Sequence, residues 1–277
     1  MIRHVFSGAG GAALAADVLG KGPSVVMLHG GGQTRGSWRR TAVDLVDQGY
    51  SVVALDARGH GESDWSATGY GFDLFVGDLL RVLDDIDGIP ALIGASLGGL
   101  TSLLAVGETD RTIASALVLV DIVPRFEVKG SAAIQAFMTA NPDGFESVEA
   151  AADAVGRYMP NRPRPQDLSG LRRNLREGSD GRLRWHWDPA LMSGPVPDLD
   201  AMLARLEAAS ARISVPTLMV RGERSEIVSD ESVAHFQNLM PEAEIVEVAG
   251  AAHMVAGDAN TPFADAVLTF LKRVYPV

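Results

Sequence analysis

Gly94-Ala95-Ser96-Leu97-Gly98-Gly99 is the stretch on which the reading of this chain turns. It follows an apolar run, Ala91-Leu92-Ile93, and precedes a helical one, Leu100 to Val106. A sharp strand-to-helix turn needs glycine two residues before and two after its central serine, because side chains there would collide. A serine on such a turn has a strained backbone and a hydroxyl standing clear of the sheet. The amide of the next residue, Leu97, then points at any oxyanion formed beside it. The competing reading is a glycine-rich turn that carries an incidental serine. The rest of the chain decides between them.

Other apolar runs end in the same way. Val25 to Leu28 stops at His29-Gly30-Gly31-Gly32, and Val52 to Leu55 stops at Asp56-Ala57-Arg58-Gly59. Leu117 to Val120 ends at Asp121, Leu218 to Val220 at Arg221-Gly222, and Ile245 to Val248 at Ala249-Gly250. Continuous apolar strands alternating with helices predict a mostly parallel, doubly wound α/β sheet covered on both faces. Phe72, Phe75, Val76, Leu79, Leu80, Leu83 and Ile86 share one helical face over 72–87. A last helix is expected over 261–274, with Thr261 as cap and Pro262 at the first helical position. Gly8-Ala9-Gly10-Gly11-Ala12-Ala13 formally fits a dinucleotide turn, but the His29 turn, not a strand-end acid, lies about twenty residues on. It reads as a hairpin loop.

From Arg125 to Arg212 no convincing strand appears, and amphipathic pieces alternate with proline and glycine. This predicts a helical cap over 125–212, inserted between two strands of a core formed by 1–124 and 213–277. Such an insertion lies over the carboxyl ends of the strands, where α/β sheets bind ligands.

Composition bounds the function. The 277 residues are 47% hydrophobic and 21% charged, the balance of a globular chain. Without cysteine there is no disulfide scaffold, thiolate metal site or cysteine nucleophile. Acidic residues outnumber basic ones, 35 to 24, which argues against a nucleic-acid partner. No apolar run approaches the ~18 residues of a membrane span, and the amino end lacks the basic-then-apolar build of a signal peptide. The expectation is a cytoplasmic protein acting on a small molecule, with no membrane or nucleic-acid partner; a homodimer is compatible with it.

Taken together, Leu28-His29-Gly30-Gly31-Gly32, Asp56-Ala57-Arg58-Gly59-His60-Gly61-Glu62-Ser63, the Gly94 to Gly99 turn and Gly250-Ala251-Ala252-His253 resemble the α/β-hydrolase fold family. The resemblance runs the length of the chain. It implies a cofactor-free and metal-free serine hydrolase that cleaves a carboxylic ester through an acyl-enzyme. Ser96 is the implied nucleophile and His253, after the last strand, the base. Gly31 and Leu97 are the implied oxyanion donors. His29 and His60 are expected to be structural, and His4, His186 and His235 have no inferred catalytic neighbourhood.

In the family the acid usually follows the strand written here Thr217 to Gly222. On that basis Glu226, in Ser225-Glu226-Ile227-Val228, is the expected acid, with Asp121 as the substitute because some members place it there. Trp185-His186-Trp187 is the densest aromatic cluster, so Trp185 and Trp187 are either pocket wall or cap core. Phe126, Phe137, Met138, Phe145 and Met159 are read mostly as core. Arg162, Arg164, Arg172, Arg173 and Arg176 form either a clamp for a substrate carboxylate or a solvated face. The three glycines after His29 also resemble the turn of hydrolases that cleave carbon–carbon bonds of ring-fission dienoates. Lactone or carbon–carbon hydrolysis therefore stands as an alternative using the same residues, and a slow-turnover ligand receptor as another. Epoxide hydrolase and dehalogenase chemistry is disfavoured, since those relatives have aspartate where Ser96 stands.

Overall fold

A computed structural model describes residues 1–160, 166–193, 198–253, 255–258 and 260–277. Every apolar run above is a strand. The first part of the chain forms β1 (Ile2–Ser7), β2 (Ala13–Leu19), β3 (Ser24–Leu28), α1 (Arg39–Asp47), β4 (Ser51–Leu55) and α2 (Phe72–Asp84). It continues through β5 (Ala91–Ala95), α3 (Leu97–Glu108) and β6 (Ala116–Val120). The inserted segment holds α4 (Val128–Thr139), α5 (Val148–Tyr158), α6 (Ser169–Arg172), β7 (Leu175–Glu177), β8 (Leu183–Trp185) and α7 (Leu199–Ser210). The chain returns with β9 (Thr217–Gly222), α8 (Asp230–Leu239), β10 (Glu244–Val248), α9 (Val255–Asp258) and α10 (Asn260–Val274).

The main sheet has the order β1-β2-β4-β3-β5-β6-β9-β10. β1 and β2 form an antiparallel hairpin, β2 runs antiparallel to β4, and all other neighbours are parallel. The turn over 8–12 is the expected hairpin loop. Alternate residues feed two cores. Val26, Leu28, Leu92, Leu117 and Leu119 pack on one face, and Val25, Met27, Ile93, Val118 and Val120 on the other. That is why these strands are apolar throughout rather than alternating. α2 buries Phe75, Val76, Leu79, Val82 and Leu83 on the first face, and α10 buries Phe263, Val267, Phe270 and Leu271 on the second.

Chain order along the sheet reverses between β3 and β5, since β3 leads outward to β4 while β5 leads the other way to β6. Ligands of open α/β sheets bind at that reversal, beyond the strand ends. The His29 turn and Ser96 lie there, one on each side.

The inserted segment differs from expectation in two ways. It is not purely helical: β7 and β8 form a small antiparallel hairpin, extended by a bridge between Phe145 and Leu183. In addition, α7 belongs to the main core, where its Leu206 and Ala209 are fully or nearly fully buried beside α3. The part with a core of its own is built on Met138, Phe145, Ala151, Ala154, Leu175, Leu183, Trp185 and Trp187. Among the described residues no helix is long and apolar enough to cross a membrane.

Candidate active site

Ser96 sits between β5 and α3 with φ 46° and ψ −114°, a conformation that L-residues rarely adopt. Its flanking glycines have no alternative. A Cβ on Gly94 would lie 2.4 Å from the Gly98 carbonyl oxygen, and one on Gly98 2.4 Å from that of Leu28. Gly98 N–H also donates to His29 O at 3.2 Å, tying the turn to the neighbouring loop. Leu97 is the first residue of α3, so its N–H precedes the intrahelical ladder and lies at the positive end of the helix.

β6 is paired with β5 so that Val120 stands opposite Ala95. The next residues, Ser96 and Asp121, therefore leave adjacent strand ends together. Asp121 also has positive φ, 49°, and these two are the only such non-glycine residues described. The Asp121 carboxylate is fully buried and fully engaged. Oδ1 accepts from Gly222 N–H at 2.9 Å, and Oδ2 accepts from Ser225 Oγ–H at 2.5 Å and from His253 Nδ1–H at 2.8 Å. A proton held on Nδ1 leaves Nε2 of His253 as the basic nitrogen.

Glu226 is not the partner of His253, contrary to the sequence expectation. Its side chain is exposed, and its charge lies close enough to Tyr158 of α5 to raise that phenol further above its usual range, after burial, the main cause. The loop reaches Asp121, the partner of His253, through Ser225 instead. Ser225 Oγ accepts from Ile227 N–H and Val228 N–H while donating to Asp121, so the turn points the preceding serine inward. A sequence reading that looks for a carboxylate after β9 passes over a serine. The positive φ of Asp121, which turns its side chain into the site, has no signature in composition or periodicity.

The loop after β3 closes on Ser96 from the other side. A Cβ on Gly30 would stand 3.3 Å from Ser96 Cβ, whereas one on Gly31 would meet nothing within 4 Å. Gly32 has φ +73° and lies against the insertion; a Cβ there would stand 3.5 Å from both Met138 Sδ and Trp187 Cζ3. Trp187 stacks on Trp185 at 4.9 Å, and Phe137 tilts against both rings. Trp187 thus adjoins the loop, while Trp185 lies among Phe137 and Phe145 in the core of the insertion.

Three histidines surround this loop, all almost without exposure. His29 Nε2 accepts from Ala57 N–H at 3.0 Å, and His60 Nε2 accepts from Gly32 N–H at 3.1 Å. His186, unplaced by sequence reasoning, comes from the insertion; its Nδ1 accepts from Gly61 N–H at 2.9 Å. Burial pushes all three below the usual imidazole range: His29 to about 4, His60 to about 3 and His186 to about 2. Neighbouring positive charge adds to this, from Arg35 on His29 and from Arg176 on His186, and the histidines also depress one another. Next to them, Arg35 is ion-paired with Asp56, Glu62 and Asp17.

Of the arginines singled out in the insertion, Arg172 and Arg176 have hydrogen-bond partners. Arg172 donates to Leu175 O and Glu177, and Arg176 donates to Gly61 O and lies over the Trp65 ring. Arg173 stands near Asp167. Arg162 and Arg164 lie outside the described residues.

A sequence profile of the alpha/beta hydrolase family matches residues 25–266. The 2-(acetamidomethylene)succinate hydrolase of Mesorhizobium japonicum is 31% identical over 193 residues, 68% of this chain and 66% of that protein. Esterase Rv0045c of Mycobacterium tuberculosis is 32% identical over 264 residues, 86% of this chain and 79% of that one. Among solved structures, E-2-(acetamidomethylene)succinate hydrolase superposes with a TM-score of 0.85 at 26% identity, covering 98% of this chain and 99% of that one. Esterase Rv0045c superposes with a TM-score of 0.77 at 28% identity, covering 98% and 93%.

Proposed function

The chain belongs to the α/β-hydrolase family, and from that premise we propose that it is a carboxylic ester hydrolase working through Ser96, His253 and Asp121. The observation that carries the reading is the His253–Asp121 hydrogen bond of 2.8 Å at the strand end beside Ser96. Asp121 replaces Glu226 as the acid in this scheme.

His253 Nε2 takes the Ser96 hydroxyl proton as Oγ attacks the acyl carbonyl. Asp121 fixes the tautomer and stabilises the imidazolium, without itself taking the proton. The N–H groups of Leu97 and Gly31 hold the oxyanion of the tetrahedral intermediate, each worth ~10²–10³ in kcat. His253 returns its proton to the leaving alcohol, then activates the water that releases the acid product. Each of these residues lies outside the insertion.

Trp187 and Met138 against Gly32 supply an apolar wall for the acyl group. That wall favours a substrate uncharged near its carbonyl over the second reading, hydrolysis of a dicarboxylate of the kind named for the succinate hydrolase relative. The latter calls for cations at the pocket, and among the described residues Arg172 and Arg176 of the insertion already donate to Leu175 O and Gly61 O. Carbon–carbon and lactone hydrolysis would draw on the same three residues.

The test is Ser96→Ala assayed on short-chain p-nitrophenyl esters. Turnover should fall by several orders of magnitude with the melting temperature preserved. A folded variant retaining most of its activity would end the serine-hydrolase reading.

A further inference from the structure

We propose that His186, contributed by the insertion, is a positioning residue that aims the Gly31 amide of the oxyanion-binding loop. The inference rests on the function proposed above.

Each of the three buried imidazoles holds one peptide. The peptide joining Gly30 to Gly31 is fixed by its carbonyl, which accepts from His29 Nδ1–H at 2.8 Å and from Gln33 N–H at 3.1 Å. In a planar trans peptide the N–H points opposite to the C=O, so pinning Gly30 O sets the direction of Gly31 N–H. The peptide joining Gly31 to Gly32 is held by Gly32 N–H donating to His60 Nε2. The peptide joining Gly32 to Gln33 is held by its carbonyl, which accepts from His186 Nε2–H at 3.3 Å.

This last bond reaches back to the first peptide. Gln33 N–H shares a plane with Gly32 O, so orienting that carbonyl also orients the N–H that donates to Gly30 O. His186 therefore acts on Gly31 through Gln33. The tautomer is determined as well: Nδ1 accepts from Gly61 N–H, which leaves the proton on Nε2 to be donated to Gly32 O. A Cβ built on Gly31 would meet nothing within 4 Å, so no neighbour buttresses the residue on that side.

The insertion is fastened around this point. Asp188 N–H donates to Gly59 O at 2.8 Å, Tyr70 Oη–H donates to Asp188 Oδ2 at 2.6 Å, and Arg176 donates to Gly61 O. The insertion thus contributes to the chemical step and is not confined to choosing substrates.

Three variants isolate the bond. In His186→Gln the amide group reaches the Nε2 position and can donate to Gly32 O. In His186→Asn the shorter side chain keeps an acceptor for Gly61 N–H but falls short of Gly32. His186→Phe keeps the ring and loses both bonds. On p-nitrophenyl acetate and butyrate, His186→Asn and His186→Phe should lower kcat by ~10-fold or more, a fraction of the ~10²–10³ for losing a donor outright. KM should stay within about twofold on both esters, and His186→Gln should recover most of the loss. Should His186→Phe fail to fold, the comparison of Asn with Gln carries the test.

Unchanged kcat in His186→Asn overturns the proposal. So does a loss confined to KM or to one ester, which would mark His186 as a docking residue only. Ser96→Ala run in parallel keeps the two claims apart: its residual activity bears on the nucleophile, whereas an active His186→Asn beside an inactive Ser96→Ala refutes only the positioning role.

Discussion

Asp121 holds an unfavourable backbone conformation, costing on the order of 1–3 kcal/mol, because Gly222, Ser225 and His253 all donate to its carboxylate. Replacing the carboxylate by an amide keeps the shape but offers His253 a donor or a weaker acceptor. Asp121→Asn should lower kcat by up to ~10⁴-fold, whereas Glu226→Gln should stay within about twofold of wild type. Steady-state kinetics on one ester checks both, and the reverse order would return the acid role to Glu226. At this scale the legible residues are those whose neighbours are dictated by backbone geometry. Ser96 is readable because Gly94 and Gly98 must be glycine for the turn to close, and in the loop after β3 Gly32 is held to glycine by its positive φ. Asp121 is legible only as the substitute acid that the family resemblance offers, and Ser225 not at all, because their roles depend on a cross-strand register and one unusual φ angle. His186 is hidden further, since it reaches the loop from 154 residues away in sequence.

The central strands β3 to β6 were legible as apolar runs because both of their faces are buried, whereas the edge strand β10 carries Glu244 and Glu247. The β7–β8 hairpin was not legible, being three residues a side with exposed Arg176 and Glu177 and half-buried Arg184 among the apolar ones. Nor did the sequence separate α7 from the rest of the insertion, because the amphipathic pattern that buries Leu206 and Ala209 does not say against what. The aromatic cluster divides along the same line, and two substitutions separate its members. Trp185→Ala removes a ring packed between Phe145 and Trp187 and should cost ~3–5 kcal/mol of stability. Trp187→Ala opens the wall beside Gly32 and should shift relative kcat/KM among short, long and aromatic acyl esters by roughly ten- to two-hundred-fold. Thermal melts and an ester panel give both answers. Equal losses on every ester, with early melting in both variants, would make both tryptophans packing residues.

The molecule as a whole couples its stability to acid through His29, His60 and His186. Each is held below its ordinary pKa of 6.5 in the folded state, to about 4, 3 and 2 respectively, because burial disfavours the charged ring. Below about pH 6.5 the unfolded chain therefore binds more protons than the folded one. Stability is fully present above that range and is lost as pH falls, each histidine contributing at most ~1.4 kcal/mol per pH unit. The melting temperature should decline steadily from about pH 6.5 to about pH 4.5, and more gently in His186→Gln, which has no imidazole to protonate; a flat profile would contradict this. Ser96 stands at the end of β5, and the proposed chemistry there is covalent. The most direct measurement is mass spectrometry of protein quenched during turnover of p-nitrophenyl acetate. One acetyl group is expected on the peptide carrying Ser96, absent in Ser96→Ala and persisting when His253→Ala blocks its hydrolysis after slow acylation. Continued turnover with no acyl group on that peptide, or with the adduct on another residue, would contradict it.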